Sequence, residues 1–223
     1  MTNDNKGGSS SFTEDDPFMF FGEITASVTH ELNNILSVID QSAGLVEDFL
    51  ASPDGDVMLT EEKLIQISDK IRKNSRRGID IIKHLNSFAH STDHPDAAFG
   101  ANDMLENWGA LTRRFVNLKA ATMEIRLSEQ PVQIQANAYL VRKILYEALK
   151  NILSYVKKDD KIIISVYSDN TDAVIIMEGL LANMPTDTDI TYIEKLTTSA
   201  GGSVNNVTDN SKIGFEFRFP VFV

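Results

Sequence analysis

The side chains best matched to chemistry in this 223-residue chain lie in the run Thr29-His30-Glu31-Leu32-Asn33-Asn34. An imidazole serves near neutral pH both as a neutral nucleophile and as a good phosphoryl donor, and a neighbouring carboxylate can fix its tautomer or accept its proton. Glu31 sits beside His30, and Asn34 follows one helical turn later on nearly the same face, where an amide can orient a water or a phosphoryl oxygen. Apolar residues Phe21, Ile24, Val28, Leu32, Ile35, Ile39, Val46 and Phe49 recur at steps of three and four around this run. That stripe places His30 about 200° round the helix from Val28, towards solvent. Zinc ligation is set aside, because the fourth residue after His30 is Asn34 rather than a second histidine. The plainer reading is a surface helix whose polar residues are only its wet face.

The elements that must position these residues follow from the same periodicity. The stripe predicts a long helix from Phe18 to Leu50, broken by Ser52-Pro53-Asp54-Gly55. Thr60-Glu61-Glu62-Lys63 then supplies an N-cap and an acidic first turn for a second helix. Its apolar residues Leu64, Ile67, Ile71, Ile81, Leu85 and Phe88 run to about Ala89. Two antiparallel helices with one apolar stripe each have little to bury against, so a second copy completing a dimeric four-helix bundle is expected. Residues 90–100 read as a linker.

Beyond it the pattern mixes helices (102–120, 139–156 and about 189–200) with strands (124–127, 132–136, 161–167 and 173–178). Gly201-Gly202 reads as the cap of the last helix, ahead of a closing hairpin of 204–208 with 214–221. The expected class is mainly α followed by α+β, the second part a two-layer sandwich. Three units are expected: a tail at 1–16, a helical hairpin at 17–95 and the sandwich at 96–223.

Composition narrows the function. No apolar run is long enough for a membrane span, and MTNDNKGGSS lacks the order of a signal peptide, so the cytoplasm is the expected compartment and no membrane partner is expected. A formal net charge of -11 argues against a nucleic-acid partner. The absence of cysteine removes disulfides and thiolate chemistry, and no metal site is expected. His84, His90 and His94 read as solvated surface. Arg76-Arg77 reads as the wet face of the second helix, with contact to a phosphoryl group or an acidic partner as the alternative.

The segment from Ser27 to Leu36 resembles the phosphoacceptor box of two-component sensor histidine kinases, and the hairpin around it resembles their dimerisation and phosphotransfer domain. The resemblance implies His30 as phosphoacceptor, Glu31 as proton acceptor and Asn34 as a polar residue of the kinase and phosphatase steps. Residues 142–151 are similar to the family's asparagine box, which implies Glu147 and Asn151 as the remnant of a nucleotide site. The chain then departs from the family. Where an Asp-x-Gly-x-Gly motif is expected it reads Ile176-Met177-Glu178-Gly179-Leu180-Leu181, with Leu180 and Leu181 where backbone must approach a base. The second glycine-rich box and the lid are missing, with barely a turn of chain between Pro185 and the next helix. Without glycine-rich backbone little remains to cradle a triphosphate.

The leading expectation is therefore a histidine phosphotransfer protein on a degenerate kinase core. His30 would exchange a phosphoryl group with the receiver domain of a response regulator, with little or no ATP use. One alternative is a divergent kinase that still uses ATP and magnesium. Another is a non-catalytic pseudokinase or scaffold that binds a regulator.

Overall fold

The computed structural model describes residues 17–51, 60–95, 97–169, 171–181, 190–209 and 212–222. The expected tail at 1–16, the break at 52–55 and the segment around Pro185 lie outside the described residues.

Helix α1 runs Pro17–Ala51 and α2 runs Glu61–Ala89. Thr60 caps α2 as its sequence suggests, its hydroxyl accepting from the Lys63 amide at 3.3 Å, with Glu61 and Glu62 on the positive end of the helix dipole. The helices are antiparallel: Phe21 meets Phe88 near one end, Glu31 meets Arg77 midway, and the Lys63 ammonium lies 5.4 Å over the Phe49 ring near the other.

The second half begins with strand β1 (Phe99–Gly100) and helix α3 (Ala101–Asn117). Strands β2 (Thr122–Arg126) and β3 (Gln133–Ile134) follow, then helix α4 (Ala138–Leu153). The long strands β4 (Lys161–Ser168) and β5 (Asp172–Leu180) precede helix α5 (Thr191–Ser199), and β6 (Ser203–Asn206) and β7 (Lys212–Pro220) close the fold. The main sheet has the order β2-β4-β5-β7-β6, with β2 parallel to β4 and the other neighbours antiparallel.

Period-two side chains explain which face the helices cover. Ile162, Ile164 and Val166 of β4, and Ile213, Phe215, Phe217 and Phe219 of β7, are buried with Leu145, Leu149 and Ile152 of α4 in one core. Trp108 of α3 joins them, its indole N–H donating to the Arg142 carbonyl at 3.1 Å. Gly201 ends α5 at φ 76°, a left-handed conformation, and Gly202 must be glycine because a Cβ there would lie 2.7 Å from the Arg218 carbonyl oxygen. The expected linker at 90–100 is more structured than its composition suggests. It holds a short 3-10 turn, His90–Thr92, and β1, which pairs antiparallel with β3 because Phe99 has the main core to pack on.

A second core joins the hairpin to the sandwich. Phe20, Ile24 and Val28 of α1 and Phe88 of α2 are buried with Leu111 of α3 and Tyr146 of α4. Phe20 lies 5.3 Å edge-on from Phe88, 5.0 Å from Tyr146 and 5.5 Å from Tyr139. This corrects the stripe at its start. Phe20 is the buried residue there, and Phe21, 39% exposed, stacks on the outside of Phe88, because the first turns of α1 answer to α4 as well as to α2.

Replacing Phe88 by alanine should lower the unfolding free energy in urea by about 3–5 kcal/mol, the usual range for a buried aromatic. Hydrogen exchange should quicken together at the start of α1 and in the first turns of α4. Quickening confined to α2 would contradict a shared core.

Candidate functional site

His30 is exposed near the middle of α1, and the buried neighbours Ile24, Ser27, Val28 and Ile35 hold the helix in the phase that puts it there. Asn34, also exposed, sets its amide nitrogen 3.2 Å from His30 Nδ1. A donor facing Nδ1 places the proton of the neutral ring on Nε2. For Nε2 to present a lone pair, the Asn34 amide must turn its carbonyl to accept from Nδ1–H, a rotation about one side-chain bond. Asn34 is thus the side chain placed to bond His30 Nδ1 in either tautomer.

Glu31 has a partner on the other helix. It points across the hairpin, where the Arg77 guanidinium of α2 donates to its carboxylate. Arg77 is mostly exposed, so the pair adds at most about 1 kcal/mol to stability. What it does is orient the carboxylate. The histidines also divide. His90 is exposed and bonds its neighbour Asp93 at 2.7 Å, whereas His84 is half-buried and Nδ1 lies 2.5 Å from Asn107 Oδ1, tying α2 to α3. A solvated-surface reading is thus wrong for His84.

Glu147 and Asn151 lie one turn apart on α4, as their spacing requires. Glu147 has an ion partner in Lys150 at 3.3 Å, and Lys150 in turn lies 4.0 Å from Glu23 of α1 and 5.6 Å over the Tyr146 ring. The Tyr146 hydroxyl is pushed well above the usual phenol range, first by burial and then by the Glu23 carboxylate. Glu147 belongs to this polar border of the joint between hairpin and sandwich. One turn before it, Lys143 is buried with its ammonium 5.9 Å over the Tyr192 ring of α5.

At the end of β5, Gly179 is enclosed: a Cβ there would lie 2.7 Å from Ile152, 3.2 Å from Ile213 and 3.3 Å from Leu181. Leu181 packs against the core and Leu180 is 40% exposed, so Leu181 is the one of the pair that fills the space. The described residues on this face are apolar side chains around Gly179, with Lys143 over Tyr192 and Glu147 paired to Lys150. Among the described residues no group of three or more acidic or histidine side chains could hold a metal ion, and no helix is long and apolar enough to cross a membrane.

Several partners were beyond local pattern. Arg77 stands 46 residues from Glu31 and Asn107 stands 23 from His84, and no periodicity links them. Arg77 is mostly exposed, as the wet-face reading expects, and its carboxylate partner Glu31 belongs to the same chain.

No protein-family profile and no curated protein matches the chain. Solved structures do. The histidine kinase ThkA, in its complex with the response regulator protein TrrA, superposes with a TM-score of 0.50 at 15% identity over 92% of this chain and 63% of its own. The histidine kinase AdeS of Acinetobacter baumannii has 12% identity and a TM-score of 0.48 over 87% of this chain and 98% of its own. A structure described as a bacterial phosphotransferase has 12% identity and a TM-score of 0.49 over 89% of this chain and 96% of its own. On the ThkA superposition, the hairpin followed by the α/β sandwich has the fold of a histidine kinase core.

If Asn34 sets the tautomer, nitrogen-15 spectra of the neutral His30 ring should show the proton on Nε2 in the wild type. In Asn34→Asp, where only an acceptor faces Nδ1, the proton should move to Nδ1. An unchanged tautomer in that variant would remove the role given to Asn34.

Proposed function

We propose that this chain is a two-component phosphotransfer protein in which His30 exchanges a phosphoryl group with the aspartate of a receiver domain and makes little or no use of ATP. The observation that carries the reading is the exposed His30 imidazole on a rigid helix, with Asn34 at 3.2 Å able to switch the proton between its nitrogens. In the transfer the Nε2 lone pair attacks phosphorus in line, the N–P bond forms as the P–O bond to the partner's aspartate breaks, and that aspartate leaves as a carboxylate. Nδ1 keeps its proton, held by the Asn34 carbonyl. The protein contributes position and tautomer, and the receiver domain supplies its own metal and carboxylate.

Two further observations favour this over an ATP-driven reaction. Lys143 over Tyr192, Glu147 with Lys150, and Leu181 beside Gly179 occupy the face where a kinase of this fold would need open, glycine-rich backbone. The buried aromatic joint also fixes the sandwich against the hairpin, and a domain so fixed is poorly suited to carry a nucleotide to His30. That ThkA is described in complex with a response regulator makes such a protein the natural partner to test.

The reading includes a homodimer. Leu36 of α1 and Leu64, Ile65, Ile79 and Ile82 of α2 remain exposed on one chain, and pairing two hairpins would cover them.

Purified protein mixed with a phosphorylated receiver domain should acquire label, and protein mixed with labelled ATP should not. His30→Ala should acquire none from either source. Asn34→Ala should slow transfer several-fold, the loss expected for one neutral hydrogen bond of about 1 kcal/mol. Label from ATP would establish a kinase instead, and no label from either source would leave a binding-only protein. Light scattering tests the dimer: the wild type should have the mass of two chains, and charges introduced by Ile79→Glu with Ile82→Glu should halve it.

A further inference from the structure

A cleft of about 890 Å³ opens where α1 and α2 meet α3. Six cationic side chains line it: Arg72, Lys73, Arg76 and Arg77 of α2, and Arg113 and Arg114 of α3. In a chain with a formal net charge of -11, composition alone does not produce such a concentration. The acids on the same walls do not neutralise it. Asp69 pairs with Arg72 at 2.5 Å, Glu31 is held by Arg77, and Asp80 lies 3.4 Å from Lys83. Among the described residues, Lys73, Arg76 and Arg114 have no carboxylate partner.

The floor is of another kind. Its apolar surface comes mainly from Leu118, 67% exposed, and the half-buried Ile81, backed by the buried Val28 and Leu111. An apolar floor beneath a rim of unpaired guanidinium and ammonium groups, in a volume within the ordinary range for small-ligand sites, suits a flat ring that carries several phosphates. Arginine forks match phosphate oxygens in pairs, and lysine adds a point charge.

We propose that this cleft binds a nucleoside polyphosphate, its phosphates on Lys73, Arg76 and Arg114 and its ring on the apolar floor. The site is separate from the α4 and β5 face discussed above, since every lining residue belongs to α1, α2 or α3 or to the residue that follows α3. It also touches the chemistry. Glu31 is in the cleft wall with Arg77, so a phosphate that draws Arg77 away releases the carboxylate next to His30. Binding does not require that His30 be phosphorylated, so this inference and the proposed function can fail independently.

The test is calorimetry on the full-length chain, in chelator without magnesium, with ATP, GTP, ADP and inorganic tripolyphosphate as separate probes. At least one nucleotide should bind with a dissociation constant below about 1 mM, and tripolyphosphate should bind more weakly for lack of a ring. R76E with R114E should weaken binding by about tenfold or more while keeping the wild-type unfolding midpoint; Asn151→Ala and His30→Ala should bind as the wild type does. If the charge-reversed variant fails to fold, amide shift mapping on the wild type decides: shifts on α2 and α3 support the cleft, and shifts on α4 and β5 overturn it. The proposal is also overturned by no heat from any probe, by tripolyphosphate binding as tightly as the nucleotides, or by binding lost in Asn151→Ala and kept in the cleft variant. A charge-reversed variant that loses only receiver phosphotransfer, with no nucleotide bound by the wild type, would make the cleft an acidic-protein docking face and overturn it too.

Discussion

The burial of Phe20 between Phe88, Tyr139 and Tyr146 is the contact on which the arrangement depends. Once that ring is fixed, the rotational phase of α1 is fixed, and Ile24 and Val28 follow it inward at steps of four. His30 then has no choice but to face out. The same ring ties the hairpin to α4, so one aromatic cluster sets both the exposure of the imidazole and the position of the sandwich. Buried aromatics contribute several kcal/mol each, against about 1 kcal/mol at most for the exposed Glu31 to Arg77 pair. The aromatic joint therefore governs geometry, and the charged pair only tunes it.

Under the proposed function, the residues of the α4 and β5 face serve the joint and the core. Glu147 and Lys150 line the border with Glu23, Lys143 is buried against Tyr192, and the end of β5 is closed around Gly179 by Ile152, Ile213 and Leu181. Beside them, β4, β5 and β7 form long antiparallel ladders that hold the sandwich.

Local pattern made much of this legible. The stop and start of the helices, the Thr60 cap, the Gly201-Gly202 turn and the antiparallel closing strands follow from periodicity and turn chemistry, which act over a few residues. The exposure of His30 followed from the same source. What escaped were choices between adjacent residues and pairings across the chain. Phe20 and Phe21 are both aromatic and one step apart, so only the position of Tyr146 decides which is buried. Glu31 with Arg77 and His84 with Asn107 depend on how helices stack, and a one-dimensional pattern carries no record of that.

The central claim is that the sandwich is a fixed brace for His30 rather than a moving carrier of nucleotide. The chain has no cysteine, so Ser37→Cys and Lys158→Cys, both at exposed positions, can each take one spin label without background. The distance between them should be measured by pulsed electron resonance in protein diluted with unlabelled chain, before and after adding ATP and magnesium. One narrow distribution, unchanged by nucleotide, is the result the account predicts. A second, shorter or longer population that grows with ATP, and does so equally in the chain carrying R76E with R114E, would show a mobile kinase domain and contradict it.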